Sequence, residues 1–324
     1  MMKLAILDDY QRVALSFTDW SPIEARCTIT VFDRPLGALD EAAESLRDFD
    51  IVCAMRERLP FPRALFDWLP NLRLLVTTGG RNRSIDLDAA TDHGVLVCHT
   101  GGDYAVHTTA ELAWALILAA MRRIPEEELA MRGGGWQTTV GTGLYGKTLG
   151  LLGLGRIGGR MAAIGRVFGM KVLAWSQNLT EEVALANGAE RVEKHVLLRE
   201  SDVISLHLVL SERTRGLIGA PEIGLMRPGA LLVNTSRGPL IDEYALVKAL
   251  QEKRIRAGLD VYDSEPLPAA HPLRACENAV LSPHLGYVTA EVYGVFYRET
   301  AEDVLAFLNG APIRVLNPAA LSAS

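Results

Sequence analysis

The chain has 324 residues, enough for two full hydrophobic cores at roughly 100–200 residues per domain, which excludes a single small module. Hydrophobic residues make up 49% and charged residues 22%, a globular balance that excludes intrinsic disorder. With 33 Lys and Arg against 39 Asp and Glu, the net charge of −6 provides no broad basic footprint for nucleic acid or anionic membrane.

The N-terminus reads MMKLAILDDY, where only Leu4–Leu7 is apolar. That run is too short for a signal peptide, so no export is expected. Short apolar, β-branched runs follow at Thr28–Phe32, Ile51–Ala54, Leu72–Val76 and Val95–Cys98, separated by helical stretches such as Leu39–Arg47 and Arg63–Leu69. This alternation predicts a parallel α/β sheet. Next comes a helix over His107–Arg123, apolar nearly all round, whose girth predicts a place wedged between domains or subunits. Its longest apolar run, Leu112–Met121, falls short of the roughly 18 residues a membrane span requires. Cys27, Cys53, Cys98 and Cys276 form no CxxC pair, which argues against a zinc site or a disulfide framework and for a reducing cytoplasm.

A second α/β series begins near residue 101, with strands expected at Leu149–Gly153, Val172–Trp175, Val203–Leu208, Ala230–Asn234 and Leu259–Val261. Its first strand runs into Gly153-Leu154-Gly155-Arg156-Ile157-Gly158 and then a helix. Strand, GxGxxG and helix in this order form a dinucleotide fingerprint. Gly153 permits the tight turn, Gly155 lets a pyrophosphate approach the backbone, and Gly158 lets helix and strand pack closely. The helix N-terminus offers N–H groups to the anion, with Arg156, Ile157 and Gly158 as the residues at the cofactor. The acid expected about 20 residues on, at the ribose, is absent, because the next strand ends in Ser176-Gln177-Asn178. Without that carboxylate NADP is admitted, while the lack of a local Arg or Lys favours NAD; Ser176 can hydrogen-bond either cofactor. The last long helix is expected over Ala290–Leu308, stopped by Gly310 and Pro312.

Three further motifs lie in the second series: Asn234-Thr235-Ser236-Arg237-Gly238, Asp260-Val261-Tyr262-Asp263-Ser264-Glu265-Pro266, and Ser282-Pro283-His284-Leu285-Gly286. With the fingerprint, their order and spacing resemble the D-isomer-specific 2-hydroxyacid dehydrogenase family. That family includes phosphoglycerate dehydrogenase, glyoxylate/hydroxypyruvate reductase and the C-terminal-binding corepressors. The resemblance covers nearly the whole chain. It implies an α/β protein of two lobes: a flavodoxin-like substrate domain (1–100 plus 286–324) with a Rossmann NAD(P)-binding domain (101–285) inserted into it.

By the same resemblance, Arg237 holds the substrate carboxylate and polarises its carbonyl, a task that suits a bidentate guanidinium. His284 gives the carbonyl oxygen its proton, and Glu265 stabilises the charged imidazole. Asp260, Thr235 and Thr108 lie at the cofactor. The alternatives for His207, His107, Trp136 and Tyr145 are packing roles, and packing is preferred for His207. The family's carboxylate-binding loop is altered here to Gly79-Gly80-Arg81-Asn82-Arg83, which leaves Gly80, Arg81 and Asn82 as candidate substrate contacts and Arg83 as a solvent-facing charge. No regulatory serine-binding module is expected after Ser324. The implied reaction is hydride transfer between NAD(P)H and a small 2-oxo acid. The alternative is an NAD-sensing, corepressor-like binding protein without turnover. The apolar girth of the His107–Arg123 helix further predicts a homodimer through that helix.

Overall fold

The computed structural model describes residues 1–322 and divides into two compact units. One is Met1–Tyr104 together with the chain from Thr289 onward; the other is Ala105–Val288. Both divisions fall a few residues later than expected from sequence, because the central helix starts at Ala105 and Thr289 caps the final helix.

The first unit holds a five-stranded sheet of β1 (Met2–Ile6), β2 (Cys27–Val31), β3 (Ile51–Ala54), β4 (Leu74–Thr77) and β5 (Leu96–His99), in the order β2-β1-β3-β4-β5. Every pairing is parallel, and β3 and β4 are buried throughout, as strands covered on both faces must be. One face packs Val52, Leu75 and Val97 against Phe61, Leu65 and Phe66. The segment after the final helix (Ala290–Leu308) returns to shield the β5 edge, where Val315 bridges antiparallel to Cys98.

That return is anchored by a buried acid. Asp303 is fully buried and accepts a hydrogen bond from Arg314 Nε at 2.9 Å. Burial outweighs the pull of the guanidinium and pushes the Asp303 carboxyl up to about 7.

The second unit is built on β6 (Thr148–Leu152), β7 (Lys171–Trp175), β8 (Glu190–Arg191), β9 (Val203–Leu206), β10 (Leu231–Asn234), β11 (Arg256–Leu259) and β12 (Ala279–Leu281), in the order β12-β11-β10-β9-β6-β7-β8. All of its pairings are parallel too. Strand order reverses between β6 and β9, the crevice where open α/β sheets take their ligands.

Strand β11 lies earlier than the expected Leu259–Val261 run, and Gly258 in its middle masks the pattern. A methyl there would stand 3.2 Å from Leu116 Cβ, so the glycine lets the Ala105–Arg122 helix settle on the sheet. The same packing accounts for much of the helix's apolar girth. That helix lies against β10, β11, β12 and the helix Arg156–Val167 of its own unit, with Ala113, Trp114, Leu116 and Ile117 buried there. Just beyond it Ile124, Leu129, Met131, Trp136, Val140 and Tyr145 are exposed, six of the large apolar side chains left on the surface. Among the described residues no helix is long and apolar enough to cross a membrane, and no cluster of ligating side chains could hold a metal ion. All four cysteines are buried free thiols.

The raised Asp303 value has a consequence for stability. Between the ordinary carboxylate value of 3.8 and about 7, the native state holds more protons than the unfolded chain. This contribution is complete at low pH and is lost as pH rises through about 7. The melting temperature of the wild type is therefore expected to gain, between pH 8 and pH 5.5, an increment that Asp303→Asn lacks. Equal pH slopes for the two proteins in calorimetry would refute the assignment.

Candidate active site

The glycine fingerprint is shaped by close contacts. Gly153 adopts φ +103°, and a methyl on it would lie 2.5 Å from His207 O. A methyl on Gly158 would lie 2.2 Å from Gly153 O, so helix and turn can touch only through glycine. Gly155 faces open space. The first helical bond here is Gly159 N to Gly155 O, and the N–H groups of Arg156, Ile157 and Gly158 precede it at the positive end of the helix. Gly153 N donates to Trp175 O at 2.8 Å, which brings half-buried Ser176 to the edge of the turn.

After β10 the Asn234 side chain knits its own loop, donating to Arg237 O and accepting from Ser236 N. Ser236 Oγ donates to Leu206 O, tying this loop to β9. The half-buried Arg237 side chain follows, with Nη1 donating to Ser236 O at 2.6 Å. Thr235 Oγ1 is buried and has no hydrogen-bond partner among the described residues, the kind of orphan that a bound group satisfies. This hydroxyl, the closed Gly153–Gly158 turn and the open space at Gly155 fit a dinucleotide.

Gly238 joins this loop to the next, because a methyl on it would sit 2.1 Å from the Tyr262 carbonyl carbon. The loop after β11 then delivers Glu265. Its Oε1 accepts Tyr262 N at 3.0 Å and its Oε2 lies 2.5 Å from His284 Nδ1. Nδ1 is thereby held as the donor to the carboxylate, and Nε2 makes no hydrogen bond within the described residues. Tyr287 packs edge-on against the imidazole, with ring centroids 5.5 Å apart.

Two residues expected at the cofactor, Asp260 and Thr108, also hold the loop after β12. Asp260 is fully buried, and its carboxylate accepts Ser282 Oγ, Leu285 N and Gly286 N at 2.6, 2.7 and 3.0 Å. Thr108 Oγ1 donates to Gly286 O at 2.7 Å. Burial pushes the Asp260 carboxyl up from its ordinary value. His207 is a packing residue: its ring is buried, its Nε2 pairs with Ser205 Oγ, and desolvation lowers its pKa to about 4.

The altered glycine loop belongs to the first unit. Gly79 takes φ +86° under the guanidinium of Arg56, while Gly80 and Arg81 are exposed. The Asn82 side chain is committed inside the loop: it donates to Arg56 O and Thr77 Oγ1 and accepts from Ser84 N. Only backbone contact to a ligand is left for it. Arg83 is exposed, as expected.

The sequence profile of the D-isomer specific 2-hydroxyacid dehydrogenase NAD binding domain matches residues 114–286. A glyoxylate reductase of Aeropyrum pernix is 43% identical over 76% of this chain and 76% of its own. A glyoxylate reductase of Thermococcus litoralis is 38% identical over 87% of both chains. Among solved structures, a phosphoglycerate oxidoreductase from Vibrio cholerae is 37% identical, with a TM-score of 0.89 over 96% of this chain and 100% of that one. The fingerprint turn, the loops that follow β10, β11 and β12, and these likenesses lead to one assignment: the chain belongs to the D-isomer specific 2-hydroxyacid dehydrogenase family and is an NAD(P)-dependent oxidoreductase.

Proposed function

We propose that the protein reduces a small 2-oxo acid to its D-2-hydroxy acid, with Arg237, Glu265 and His284 as the catalytic set. The observation that carries this reading is the His284–Glu265 pair, with Nδ1 committed to the carboxylate and Nε2 open. Bound NAD(P)H supplies the hydride. As charge builds on the carbonyl oxygen, His284 Nε2 delivers a proton to it. Glu265 orients the ring and balances the imidazolium charge. Arg237 pairs with the substrate carboxylate through its fork and stabilises the developing alkoxide.

The turn of Gly153, Gly155 and Gly158 and the N–H groups of Arg156 and Ile157 would hold the pyrophosphate, with Ser176 at the ribose and Thr235 nearby. The backbone of Gly80, Arg81 and Asn82 would contribute further to substrate binding. Glyoxylate heads the list of substrates because relatives matched along most of this chain are glyoxylate reductases. We assign the reaction to the cytoplasm, in keeping with four free thiols.

The test is oxidation of NADH and of NADPH against glyoxylate, hydroxypyruvate, pyruvate, phenylpyruvate and 3-phosphohydroxypyruvate. His284→Ala is expected to lower kcat by roughly 10²–10⁴-fold, with Glu265→Gln falling between it and the wild type. Near-normal turnover by a folded His284→Ala enzyme would remove His284 from the role. Cofactor binding without turnover on any acid would favour the corepressor-like alternative.

We further propose a homodimer, with its face moved from the Ala105–Arg122 helix to the segment after it. Leu129 is 72% exposed and Trp136 73%, and both lie on a short stretch with Ile124 and Met131. An exposed apolar stretch of this kind marks an association surface. Light scattering at micromolar concentration is expected to give twice the mass of 35.3 kDa for the wild type. The double variant Leu129→Glu, Trp136→Glu is expected to give the monomer mass, and a monomeric wild type would refute the dimer.

A further inference from the structure

The backbone of His284 sits in the left-handed region at φ +55°, a conformation that few non-glycine residues adopt. Two sets of hydrogen bonds impose it here. From one side Asp260 takes four donors of the same short loop. Its main-chain oxygen accepts His284 N at 2.9 Å, and its carboxylate accepts Ser282 Oγ, Leu285 N and Gly286 N. From the other side, at the start of the Ala105–Arg122 helix, Thr108 Oγ1 and Thr109 Oγ1 both donate to Gly286 O, at 2.7 and 3.1 Å. Gly286 fills the gap between the two: a methyl on it would lie 3.2 Å from Thr109 Oγ1 and 3.4 Å from Asp260 Oδ2.

We infer that Thr108, Thr109 and Asp260 are positioning residues that clamp the Ser282–Gly286 loop from both sides and hold His284 in register with Glu265. The inference rests on the reading of His284 as the proton donor. It differs from a cofactor role for Thr108 in what loss of the hydroxyl should do, and for Asp260 it stands beside a cofactor contact and does not replace it. Releasing the loop misplaces Nε2 and slows the chemical step, since displacements of about 1 Å cost catalysis heavily. Losing a cofactor contact would weaken NAD(P)H binding.

The experiment compares the wild type with the double variants Thr108→Val, Thr109→Val and Thr108→Ser, Thr109→Ser, and with Asp260→Asn. Each is measured for kcat, for NADH affinity by fluorescence titration and for melting temperature. The His284 imidazole signal is followed by NMR and assigned by its loss in His284→Ala. The valine pair is expected to lower kcat at least about tenfold while NADH affinity stays within about threefold and the His284 signal shifts. The serine pair, which restores both hydroxyls, should recover most of kcat. Asp260→Asn keeps the shape but not the charge, and should likewise lower kcat and move the His284 signal.

A valine pair that weakens NADH binding with kcat intact would overturn the inference in favour of a cofactor role. An unchanged kcat and an unchanged His284 signal would overturn it outright. If the wild type turns over no 2-oxo acid, the proposed reaction falls, whereas a His284 signal that still moves in the valine pair sustains the clamp. Should the valine pair fail to fold, the single variants Thr108→Val and Thr109→Val, each removing one of the two hydroxyls, carry the same comparison.

Discussion

A carboxylate removed from water must be met by donors, and Asp260 meets that requirement with Ser282, Leu285 and Gly286. The rest of the site depends on this constraint. The donors belong to the loop after β12, whereas the acid stands directly after β11, so satisfying the charge draws two strand ends into one structure. His284 lies between the bound residues of that loop, and Glu265 reaches it from the β11 side. Leaving a buried carboxylate unpaired costs several kcal/mol, against about 1–3 kcal/mol for one residue in the left-handed region, so the pairing outweighs the strain at His284.

Glycine carries the same coupling one strand further. The Tyr262 carbonyl lies where a Gly238 side chain would be, so the loop bearing Arg237 can rest directly on the loop bearing Glu265. Asn234 and Ser236 complete the stitching back to β9. A parallel sheet places its carboxyl ends along one edge, and here short polar loops and close glycine contacts turn that edge into a connected surface.

Much of this was legible in the sequence, because some residue types announce a geometric need. The turn at Gly153, Gly155 and Gly158 could be named from spacing, and the loops bearing Arg237, Glu265 and His284 from the resemblance of their motifs to a known family. The hydrogen-bond partners of Asp260 and Thr108 could not. Two of the three donors to the Asp260 carboxylate are backbone N–H groups, which every residue but proline carries, and they lie 25 and 26 residues on. The acceptor for Thr108 is a backbone oxygen 178 residues away. Gly258 hid β11, and β8 was invisible as two exposed polar residues. The apolar girth of the Ala105–Arg122 helix was read correctly as something to be covered, but its cover is the sheet and a helix of the same unit.

Residue type does not distinguish the histidines either; their surroundings do. Three of them stand within 3.0 Å of a carboxylate: His93 with Asp67, His271 with Glu243 and His284 with Glu265. In His93 the second nitrogen is held by Ala89 O, and in His271 by Leu273 N. Both rings are closed into the fold and have no nitrogen left to offer. His207 lies against the cofactor turn but has no carboxylate, and its burial keeps it neutral down to about 4. A proton donor needs a charged form that its neighbours stabilise and a nitrogen that faces outward, and of these four histidines His284 alone combines a carboxylate on Nδ1 with an open Nε2.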